Sequence, residues 1–459
     1  MRIVMKYGGT SVGNAKRFLN TANIAIDNYR NGNEVVVVVS AMSGVTDMLL
    51  EAANKSLKGE DIAPLINDLR NKHFDACEHI KKAELWKIAK DGINTLLVDL
   101  EKSLIGVHYL GELSPRSRDR IVSFGERLSS LILSKTIESL GVPSDKVDAF
   151  YLVVTDNNFG EAAVLFDESY KKSSEFLEPM LKKGMIPVVT GFIAKSKDGD
   201  ITTLGRGGSD YTASIIGAGI SADEIWIMTD VDGIMTTNPK ICSNAYTIPE
   251  MSYLEAMELA YFGAKVLHPR TIEPAVSKNI PVRVKNSMSD SSGTLILKDT
   301  TANHKVIKAI SIVENAAIVY VSGAGMIGVP GVAARVFKAL GDHNINVYMI
   351  SQGSSEANIS FVISEKDIEK SESALRKTFP TKDLVRDISH IKGVNIISAV
   401  GKGMKGAVGT AARLFSAISK DNVNILMISQ GSSEVSISFV VSKEDGHKAI
   451  RAIHKEFLE

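Results

Sequence analysis

The feature that most constrains the fold is an internal repeat in the C-terminal third of the chain. Residues 326–367 align without gaps on residues 404–445 at an offset of 78, and 24 of these 42 positions are identical. Each copy contains a Gly-rich turn, a helix, a strand ending in Ser-Gln-Gly-Ser-Ser-Glu, an alternating strand and a second helix. This order predicts a β-α-β-β-α-β unit that occurs twice. Because two copies are too few for a solenoid, we expect them to pack on each other as a pair.

The chain before the repeat has a different pattern, in which short apolar runs alternate with amphipathic segments. Continuous apolar runs indicate strands that are buried on both faces of a mainly parallel sheet, and they lie at residues 3–5, 35–39, 186–189 and 225–228. Helical periodicity lies between them, at residues 16–29, 118–140 and 211–220. The alternation predicts a doubly wound α/β domain. A polar stretch at residues 286–305 marks a boundary, so we predict domains at residues 1–295, 305–385 and 386–459.

Charge and cysteine content exclude several classes of protein. Lys and Arg number 53 and Asp and Glu number 53, so no net field attracts nucleic acid or an anionic membrane. The two cysteines, Cys77 and Cys242, cannot form a disulfide framework, and neither they nor the histidines show the spacing of a metal site. The longest aliphatic run, residues 35–39, is far shorter than the ~20 residues of a membrane span. We therefore expect a cytoplasmic protein with no nucleic-acid or membrane partner.

The first candidate phosphate loop, Lys6-Tyr7-Gly8-Gly9-Thr10-Ser11, follows the first predicted strand. In an open α/β sheet, ligands bind beyond the carboxyl ends of the strands. Gly8 and Gly9 let backbone N–H groups approach an anion, and Lys6 adds a positive charge. The lysine precedes the glycines, so the loop is not a Walker A motif. The alternative is an ordinary strand-to-helix turn with an incidental lysine.

The second candidate loop, residues 204–210, has the sequence Leu-Gly-Arg-Gly-Gly-Ser-Asp and also opens a predicted helix. Arg206 can bind a carboxylate or phosphate through two hydrogen bonds, and Ser209 adds a hydroxyl. Alternatively, Ser209 or Asp210 caps the helix and the glycines serve the turn. Because Arg206 lies between glycines, we favour an anion site.

Two other strand ends carry polar residues. Thr229, Asp230 and Asp232 follow the strand at 225–228 and could contact ribose hydroxyls or Mg²⁺, or could form a plain Asp-Gly turn. Ser40 and Thr46 follow the strand at 35–39 and suit a polar substrate, although a helix cap is the commoner outcome.

Several charged residues on predicted helices have ordinary explanations when taken alone. Glu126 and Lys265 would by default be solvated or ion-paired. The cluster Arg116, Arg118 and Arg120 is offset by Glu112, Asp119 and Glu126, which predicts an ion-paired surface.

Taken together, these segments resemble the aspartate kinases (aspartokinases) of the amino acid kinase family, in the form without a fused homoserine dehydrogenase. Residues 6–12 resemble the family's Lys-Phe-Gly-Gly-Thr-Ser-Val signature, with Tyr7 in place of Phe. Further motifs of the family match in the right order at residues 204–210, 229–233 and 262–269. The repeat resembles tandem ACT domains, which are small amino-acid-sensing modules. The resemblance implies a three-layer amino acid kinase fold with a mainly parallel sheet, followed by two ferredoxin-like (βαββαβ) ACT domains.

The resemblance also implies roles for individual residues. Lys6 would contact the transferred phosphate, and Asp210 would organise this lysine. Glu126 would pair with the α-ammonium group of L-aspartate, and Arg206 with its α-carboxylate. The residues that would surround the aspartate are Ser40, Thr46, Glu126, Phe192, Arg206 and Ser209. The residues that would contact ATP are Lys6, Gly8, Gly9, Thr229, Asp230, Met235, Lys240 and Lys265. Met235 stands where some relatives have Tyr, and Lys240 replaces an Arg.

The implied reaction is phosphorylation of the aspartate β-carboxylate by ATP with Mg²⁺, the first step of lysine, threonine and methionine biosynthesis. A carboxylate with a pKa of ~3.9 is already a nucleophile at neutral pH, so no general base is needed. Two other functions remain open: another amino acid kinase, acting on glutamate, acetylglutamate or carbamate, or an amino-acid sensor with an inactive kinase domain.

The paired ACT modules imply feedback inhibition by threonine or lysine in at least a homodimer. Asn346 and Gln352 of the first module would be among the effector contacts. The turn before the helix differs between the copies, Val-Pro-Gly-Val at 329–332 and Ala-Val-Gly-Thr at 407–410, which predicts a full effector site in the first module alone.

Overall fold

The computed structural model describes residues 1–263, 269–300, 305–353 and 357–459. These residues divide into two compact units. The first contains Met1–Ile234, Pro249–Tyr253 and the described residues of 266–300. The second contains Met235–Ile248, the described residues of 254–265 and residues 305–459. Two short segments that lie within the predicted kinase domain in sequence thus belong to the second unit, and the predicted domain boundaries stay predictions.

The strands of the first unit are β1 (Arg2–Tyr7), β2 (Glu34–Val39), β3 (Ser144–Val147), β4 (Val154–Thr155), β5 (Ile186–Thr190), β6 (Ile193–Ser196), β7 (Ile201–Thr203), β8 (Glu224–Thr229), β9 (Glu250–Ser252), β10 (Val282–Asn286) and β11 (Thr294–Leu297). Its helices are α1 (Ala15–Arg30), α2 (Val45–Leu57), α3 (Ala63–Asp75), α4 (Ala83–Leu110), α5 (Pro115–Val122), α6 (Phe124–Ser139), α7 (Phe166–Lys182), α8 (Gly208–Gly219), α9 (Tyr253–Tyr261, which continues into the second unit) and α10 (Pro269–Lys278).

Eight of the described strands form one sheet in the order β3-β5-β2-β1-β8-β10-β11-β9. The first six run parallel, β11 is antiparallel to β10, and β9 is parallel to β11. All four apolar runs predicted as strands lie in this sheet, as β2, with its five consecutive buried valines, illustrates. One core packs these strands against α1, α2, α4 and α6, while α7, α8 and α10 pack elsewhere on the sheet and on one another. The predicted parallel sheet is confirmed.

A small second sheet in the order β4-β6-β7 lies in the same unit. Its last strand, β7, ends at Thr203, and the four residues 204–207, which include the Gly-Arg-Gly loop, connect it to the N-terminus of α8. The predicted helical segment at 118–140 contains two helices, α5 and α6, which are separated at Ser123. The Ser123 hydroxyl donates a hydrogen bond to the Arg120 carbonyl.

The second unit contains β12 (Ala309–Ser322), α11 (Val332–Asp342), β13 (Val347–Gln352), β14 (Asn358–Ser364), α12 (Ile368–Thr378), β15 (Asp387–Val400), α13 (Thr410–Ser419), β16 (Ile425–Gln430), β17 (Ser436–Ser442) and α14 (Gly446–Phe457). Its strands form one antiparallel sheet in the order β13-β14-β12-β15-β17-β16. The repeat is visible in the core, where Phe337 meets Phe361 edge-to-face and Phe415 meets Phe439 in the same way.

The two modules share their long strands. Residues 316–322 of β12 pair with β14 and with the first half of β15, whereas Ala309 to Val313 pair with the second half of β15. The second module therefore takes its fourth strand from the segment that precedes the first module. The sequence predicts that the two copies pack as a pair. It does not predict that the second module uses a strand from before the first module, because the repeat pattern places each module within its own segment.

Candidate functional site

The polar residues of the first unit converge where β1, β2 and β5 end. Lys6, at the end of β1, forms an ion pair with Asp210 in the first turn of α8, with Nζ 2.6 Å from Oδ1. Both side chains are mostly buried, at 13% and 15% exposure. The first glycine loop and the Gly-Arg-Gly loop, far apart in sequence, thus meet at one charged pair.

The first glycine loop is packed against the loop that follows β2. A Cβ atom on Gly9 would lie 2.8 Å from the Ala41 carbonyl oxygen, so no larger residue fits without a shift. At Gly8 a Cβ would lie 3.7 Å from Lys6 Nζ, which shows that the ammonium group turns back over this loop. An anion held by these backbone amides would therefore also meet the Lys6 charge.

Ser40 and Ser209 meet at the same place. The Ser40 hydroxyl donates to Ser209 Oγ at 2.9 Å. Gly191, just after β5, packs on Ser209 so closely that a Cβ there would lie 2.5 Å from its Cβ and Oγ. The ends of β2 and β5 and the N-terminus of α8 therefore position two hydroxyls side by side.

Glu126 is buried in the first turn of α6, with 4% of its surface exposed. Its Oε1 accepts a hydrogen bond from the Ala41 backbone N–H at 3.1 Å, while Oε2 has no partner among the described residues. Burial raises the pKa of this carboxyl to about 8. A buried carboxyl oxygen without a hydrogen-bond partner is uncommon in a folded protein and calls for an explanation. The ordinary expectation of a solvated or ion-paired Glu126 is wrong.

Phe192 adopts a left-handed backbone conformation, with φ at 68°, which is rare for a residue with a side chain. Its N–H donates to Thr212 Oγ1 and its carbonyl accepts from Leu204 N–H, and these bonds hold the strained residue in place. Such strain costs on the order of 1–3 kcal/mol and clusters at functional sites. The Phe192 side chain and Thr46, in the first turn of α2, line a cavity of about 570 Å³.

The predicted ion-paired surface around the arginine cluster is wrong for two of its three acidic members, Asp119 and Glu126, whereas Glu112 is exposed. Asp119 is 3% exposed, and like Glu126 it points into the protein. Arg116 pairs instead with Asp200, and Arg118 lines the cavity described above. Asp119 lies on α5 and Glu126 on α6, so their spacing in the sequence does not by itself reveal that both are buried.

Arg206 is exposed between Gly205 and Gly207, both of which have positive φ, at 73° and 72°. In the described part of the chain no carboxylate forms an ion pair with its guanidinium. The side chain is therefore available to an anionic ligand.

The loop after β8 is connected to the first glycine loop through Ser287. Thr229 O accepts from the Ser287 N–H and hydroxyl, and Ser287 Oγ lies 2.9 Å from Ser11 Oγ. Asp230 accepts a hydrogen bond from the Thr229 hydroxyl, and hydrogen bonds from Ser289 and Asn286 hold the pKa of Asp232 below its usual range. The carboxyl end of β8 is thus part of the same edge of the sheet.

Comparison with known proteins follows the same division of the chain. Residues 1–286 match the model of the amino acid kinase family, and residues 319–379 and 397–457 match that of the ACT domain. Aspartokinase 1, chloroplastic, of Arabidopsis thaliana is 34% identical over 463 residues, which cover 99% of this chain and 80% of that protein. The chain belongs to the aspartokinases of the amino acid kinase family.

Solved aspartokinase structures have the same fold. The crystal structure of E. coli aspartokinase III in complex with aspartate and ADP has a TM-score of 0.83 and 29% identity, and each chain is covered completely. A second structure of that enzyme contains lysine and aspartate, with the same TM-score. The predicted family and fold class are confirmed.

Some aspartokinase relatives are longer than this chain. The bifunctional aspartokinase/homoserine dehydrogenase 2, chloroplastic, of Arabidopsis thaliana is 34% identical over 466 residues, or 99% of this chain. The chain spans about half the length of such bifunctional relatives, 50% in this case.

Other residues predicted to bind the nucleotide fall outside the first unit or outside the described residues. Met235 and Lys240 lie in Met235–Ile248, which belongs to the second unit. Met235 is partly buried and Lys240 is exposed. Lys265 lies outside the described residues. The nucleotide contacts of these three residues stay predictions.

Each ACT module of this aspartokinase has a cavity beside the turn that precedes its first helix. The first, about 330 Å³, is lined by residues 328–333, Gln352 and Ile359. The second, about 510 Å³, is lined by residues 406–412 and by the matching Gln430 and Ile437. Asn346 is exposed just before β13 and is not part of the described lining. The predicted difference between the modules in effector binding stays a prediction.

None of the described helices is long and apolar enough to cross a membrane, and cytoplasmic location stays a prediction.

Proposed function

We propose that the chain transfers the γ-phosphoryl group of ATP to the β-carboxylate of L-aspartate, forming 4-phospho-L-aspartate and ADP. The observation that carries the proposal is the Lys6–Asp210 ion pair beside the Ser40–Ser209 hydroxyls, at the edge of a parallel sheet. A phosphate-binding charge thus lies next to groups that suit a small polar acceptor. The complex of E. coli aspartokinase III with aspartate and ADP supports this choice of substrates.

The proposed aspartate site uses complementary charges for the two ends of the amino acid. Glu126 has a buried oxygen without a donor, which suits the α-ammonium group. The exposed Arg206 suits the α-carboxylate, which it can hold through two hydrogen bonds. Ser40, Thr46 and Ser209 would bind the remaining oxygens, and the strained Phe192 would form the wall of the site.

The chemistry requires charge neutralisation rather than a general base. A β-carboxylate oxygen attacks Pγ, the bond from Pγ to the bridging oxygen breaks, and ADP leaves with that bond's electron pair. Lys6 and the amides of Gly8 and Gly9 would bind the phosphates and reduce the repulsion between the two anions. Asp210 would hold Lys6 in position.

We propose that Mg²⁺ arrives with ATP as part of the substrate. Among the described residues, no group of three His, Cys, Asp or Glu side chains is arranged to hold a metal ion. This fits a cation that is bound mainly by phosphate oxygens and water, as Mg²⁺ commonly is. Thr229 and Asp230, at the end of β8, would face the nucleotide, with Met235, Lys240 and Lys265 as further contacts.

The test is a hydroxamate assay with ATP and Mg²⁺, in which aspartate and glutamate are compared as acceptors. We expect an acyl phosphate, trapped as its hydroxamate, with aspartate and at most a few per cent of that rate with glutamate. Preference for glutamate, acetylglutamate or carbamate would indicate another amino acid kinase. No turnover of any acceptor, with amino-acid binding retained, would indicate a sensor with an inactive kinase domain.

We further propose that lysine or threonine inhibits the enzyme through the ACT modules, in a homodimer or larger homo-oligomer. The matching cavities beside Gln352 and Gln430 support an amino-acid effector site, as does the lysine complex of E. coli aspartokinase III. Titration of Gln352→Ala and Gln430→Ala with both amino acids will show which module responds. The prediction is a loss of inhibition in Gln352→Ala, and Asn346→Ala tests the second predicted contact. No response of the wild type to either amino acid at millimolar concentration would contradict regulation by these effectors.

A further inference from the structure

We infer that Asp119 is a positioning residue for the amino-acid acceptor, because it ties together two backbone segments that line the cavity beside Thr46 and Phe192. The inference rests on the proposed function and adds a residue to it. Asp119 would act through Thr203 and Gly160, and so determine where Gly205 and Arg206 lie.

The Asp119 carboxylate accepts three hydrogen bonds from these two segments. Oδ2 accepts from the Thr203 N–H and the Gly160 N–H, each at 2.9 Å, and Oδ1 accepts from the Thr203 hydroxyl, also at 2.9 Å. Asp119 lies on α5, Thr203 ends β7, and Gly160 lies in the loop between β4 and α7. One buried side chain therefore joins three elements that are distant in sequence.

The joined segments are in direct contact with each other. The Ala162 N–H donates to the Thr203 carbonyl at 2.9 Å. A Cβ on Gly205 would lie 2.9 Å from Glu161 Cγ and 3.4 Å from the Gly160 carbonyl oxygen. The segment that leads to Arg206 thus rests on the 160–162 segment, and a shift of either would move the guanidinium.

Both segments line the cavity beside Phe192. The lining includes Gly160, Glu161, Thr203, Gly205 and Asp119 itself, together with Thr46 and Phe192 of the proposed aspartate site. Asp119 is therefore well placed to control the shape of this side of the proposed aspartate site, and among the described residues its side chain forms no hydrogen bond with the first glycine loop.

The chemistry of the site favours a carboxylate over an amide. Both oxygens of Asp119 face donors, and a carboxylate is an acceptor on both sides. In Asp119→Asn, the NH₂ group would face either the Thr203 hydroxyl or the two backbone N–H groups. The hydroxyl can rotate to accept from the NH₂ group and donate to the Gly160 carbonyl instead, so the amide can keep the connections. It replaces charge-assisted hydrogen bonds by neutral ones of roughly half the strength, and we therefore expect the two backbone segments to be held less firmly.

The experiment compares Asp119→Asn with Thr203→Val and Thr203→Ser, using separate KM values for aspartate and ATP. We expect Asp119→Asn to raise the aspartate KM at least tenfold, with the ATP KM within about twofold. Thr203→Val should raise the aspartate KM by a smaller factor, and Thr203→Ser, which keeps the hydroxyl, should restore it. Thr203→Val should add little in the Asp119→Asn background, because both remove the same connection.

Asp148→Asn is the matched control. Asp148 is a buried carboxylate of the same unit, and it pairs with Lys146 and Arg127 rather than with these segments. The Asp148→Asn protein should be less stable than the wild type but should have unchanged KM values for aspartate and ATP. An unchanged aspartate KM in folded Asp119→Asn, equal effects on both substrates, or the same effect in Asp148→Asn would overturn the inference.

Hydrogen exchange separates failure of the inference from failure of the proposed function. If Asp119 holds the two segments, the Gly160 and Thr203 amides should exchange faster in Asp119→Asn than in the wild type, whatever reaction the protein catalyses. Wild-type protein with no aspartate turnover would refute the proposed function. Unchanged exchange at both amides would refute the role of Asp119.

Discussion

Glu126 makes aspartate binding depend on pH in a way that can be worked out from the structure. Burial raises the pKa of its carboxyl to about 8, so the empty site holds a protonated Glu126 at neutral pH. Pairing with the α-ammonium group requires the carboxylate, and binding must therefore expel a proton. Each pH unit below the pKa weakens aspartate binding by ~1.4 kcal/mol, or about tenfold.

Between about pH 8.5 and about pH 6.5 the dissociation constant of aspartate should thus rise by roughly 30-fold, or ~2 kcal/mol. Calorimetry in buffers of different ionisation enthalpy should show release of about one proton per aspartate at neutral pH. Glu126→Gln should bind aspartate weakly, without pH dependence in this range and without proton release. A flat wild-type profile, or the same slope in Glu126→Gln, would refute the pairing.

The same carboxyl also affects the stability of the ligand-free protein. Its folded-state pKa lies above its ordinary value of 4.5, so the folded state binds more protons than the unfolded state between these values. The stabilising contribution is therefore present at low pH and is lost as the pH rises towards 8. Urea unfolding should show that the free energy of unfolding of Glu126→Gln increases relative to that of the wild type as the pH rises, by up to ~1.4 kcal/mol per pH unit. Glu138→Gln, on the same helix but partly exposed, serves as the control and should not follow this trend.

Two further substitutions test the geometry of the site. Gly191→Ala places a Cβ 2.5 Å from Ser209, so it should lower kcat/KM for aspartate at least tenfold and destabilise the fold by ~1–3 kcal/mol. Gly106→Ala is the control and should be harmless, because no atom lies within 4 Å of a Cβ there. Equal effects of the two substitutions in activity assays and urea unfolding would contradict the packing argument. Arg206→Lys keeps the charge but not the two parallel hydrogen bonds, so steady-state kinetics should show a higher aspartate KM at an unchanged ATP KM, and an effect on ATP alone would place Arg206 in the nucleotide site.

The parallel sheet could be predicted because burial on both faces leaves a direct mark on the sequence, as in Val35 to Val39. The loops at the ends of β1 and β2 could be found for a related reason, since glycines and hydroxyls stand directly after such runs. Their meeting through Lys6 and Asp210 was expected from the resemblance to aspartokinases rather than from spacing. No pattern in the chain states that residues 204 positions apart form a pair.

Partners that are distant in sequence account for most of what could not be predicted. The shared strands β12 and β15 depend on pairings between residues such as Ala309 and Val400, which local periodicity does not record. The break at Ser123 divides a segment with continuous helical periodicity into two helices, and the periodicity gives no sign of this break. The three arginines that surround Asp119 in sequence predict a surface residue, whereas its hydrogen-bond partners in the structure are Gly160 and Thr203.

The central claim is that Lys6 and Asp210 belong to a phosphoryl-transfer site, and the most direct measurement is ADP formation at saturating aspartate and ATP by Lys6→Met. Lys16→Met, which removes an exposed lysine from the first turn of α1, is the control. Comparable donors are worth ~3–4 kcal/mol in other enzymes, so kcat of folded Lys6→Met should fall at least ~100-fold. Lys16→Met should retain wild-type activity. Near-normal turnover by folded Lys6→Met would contradict the assignment of the reaction centre.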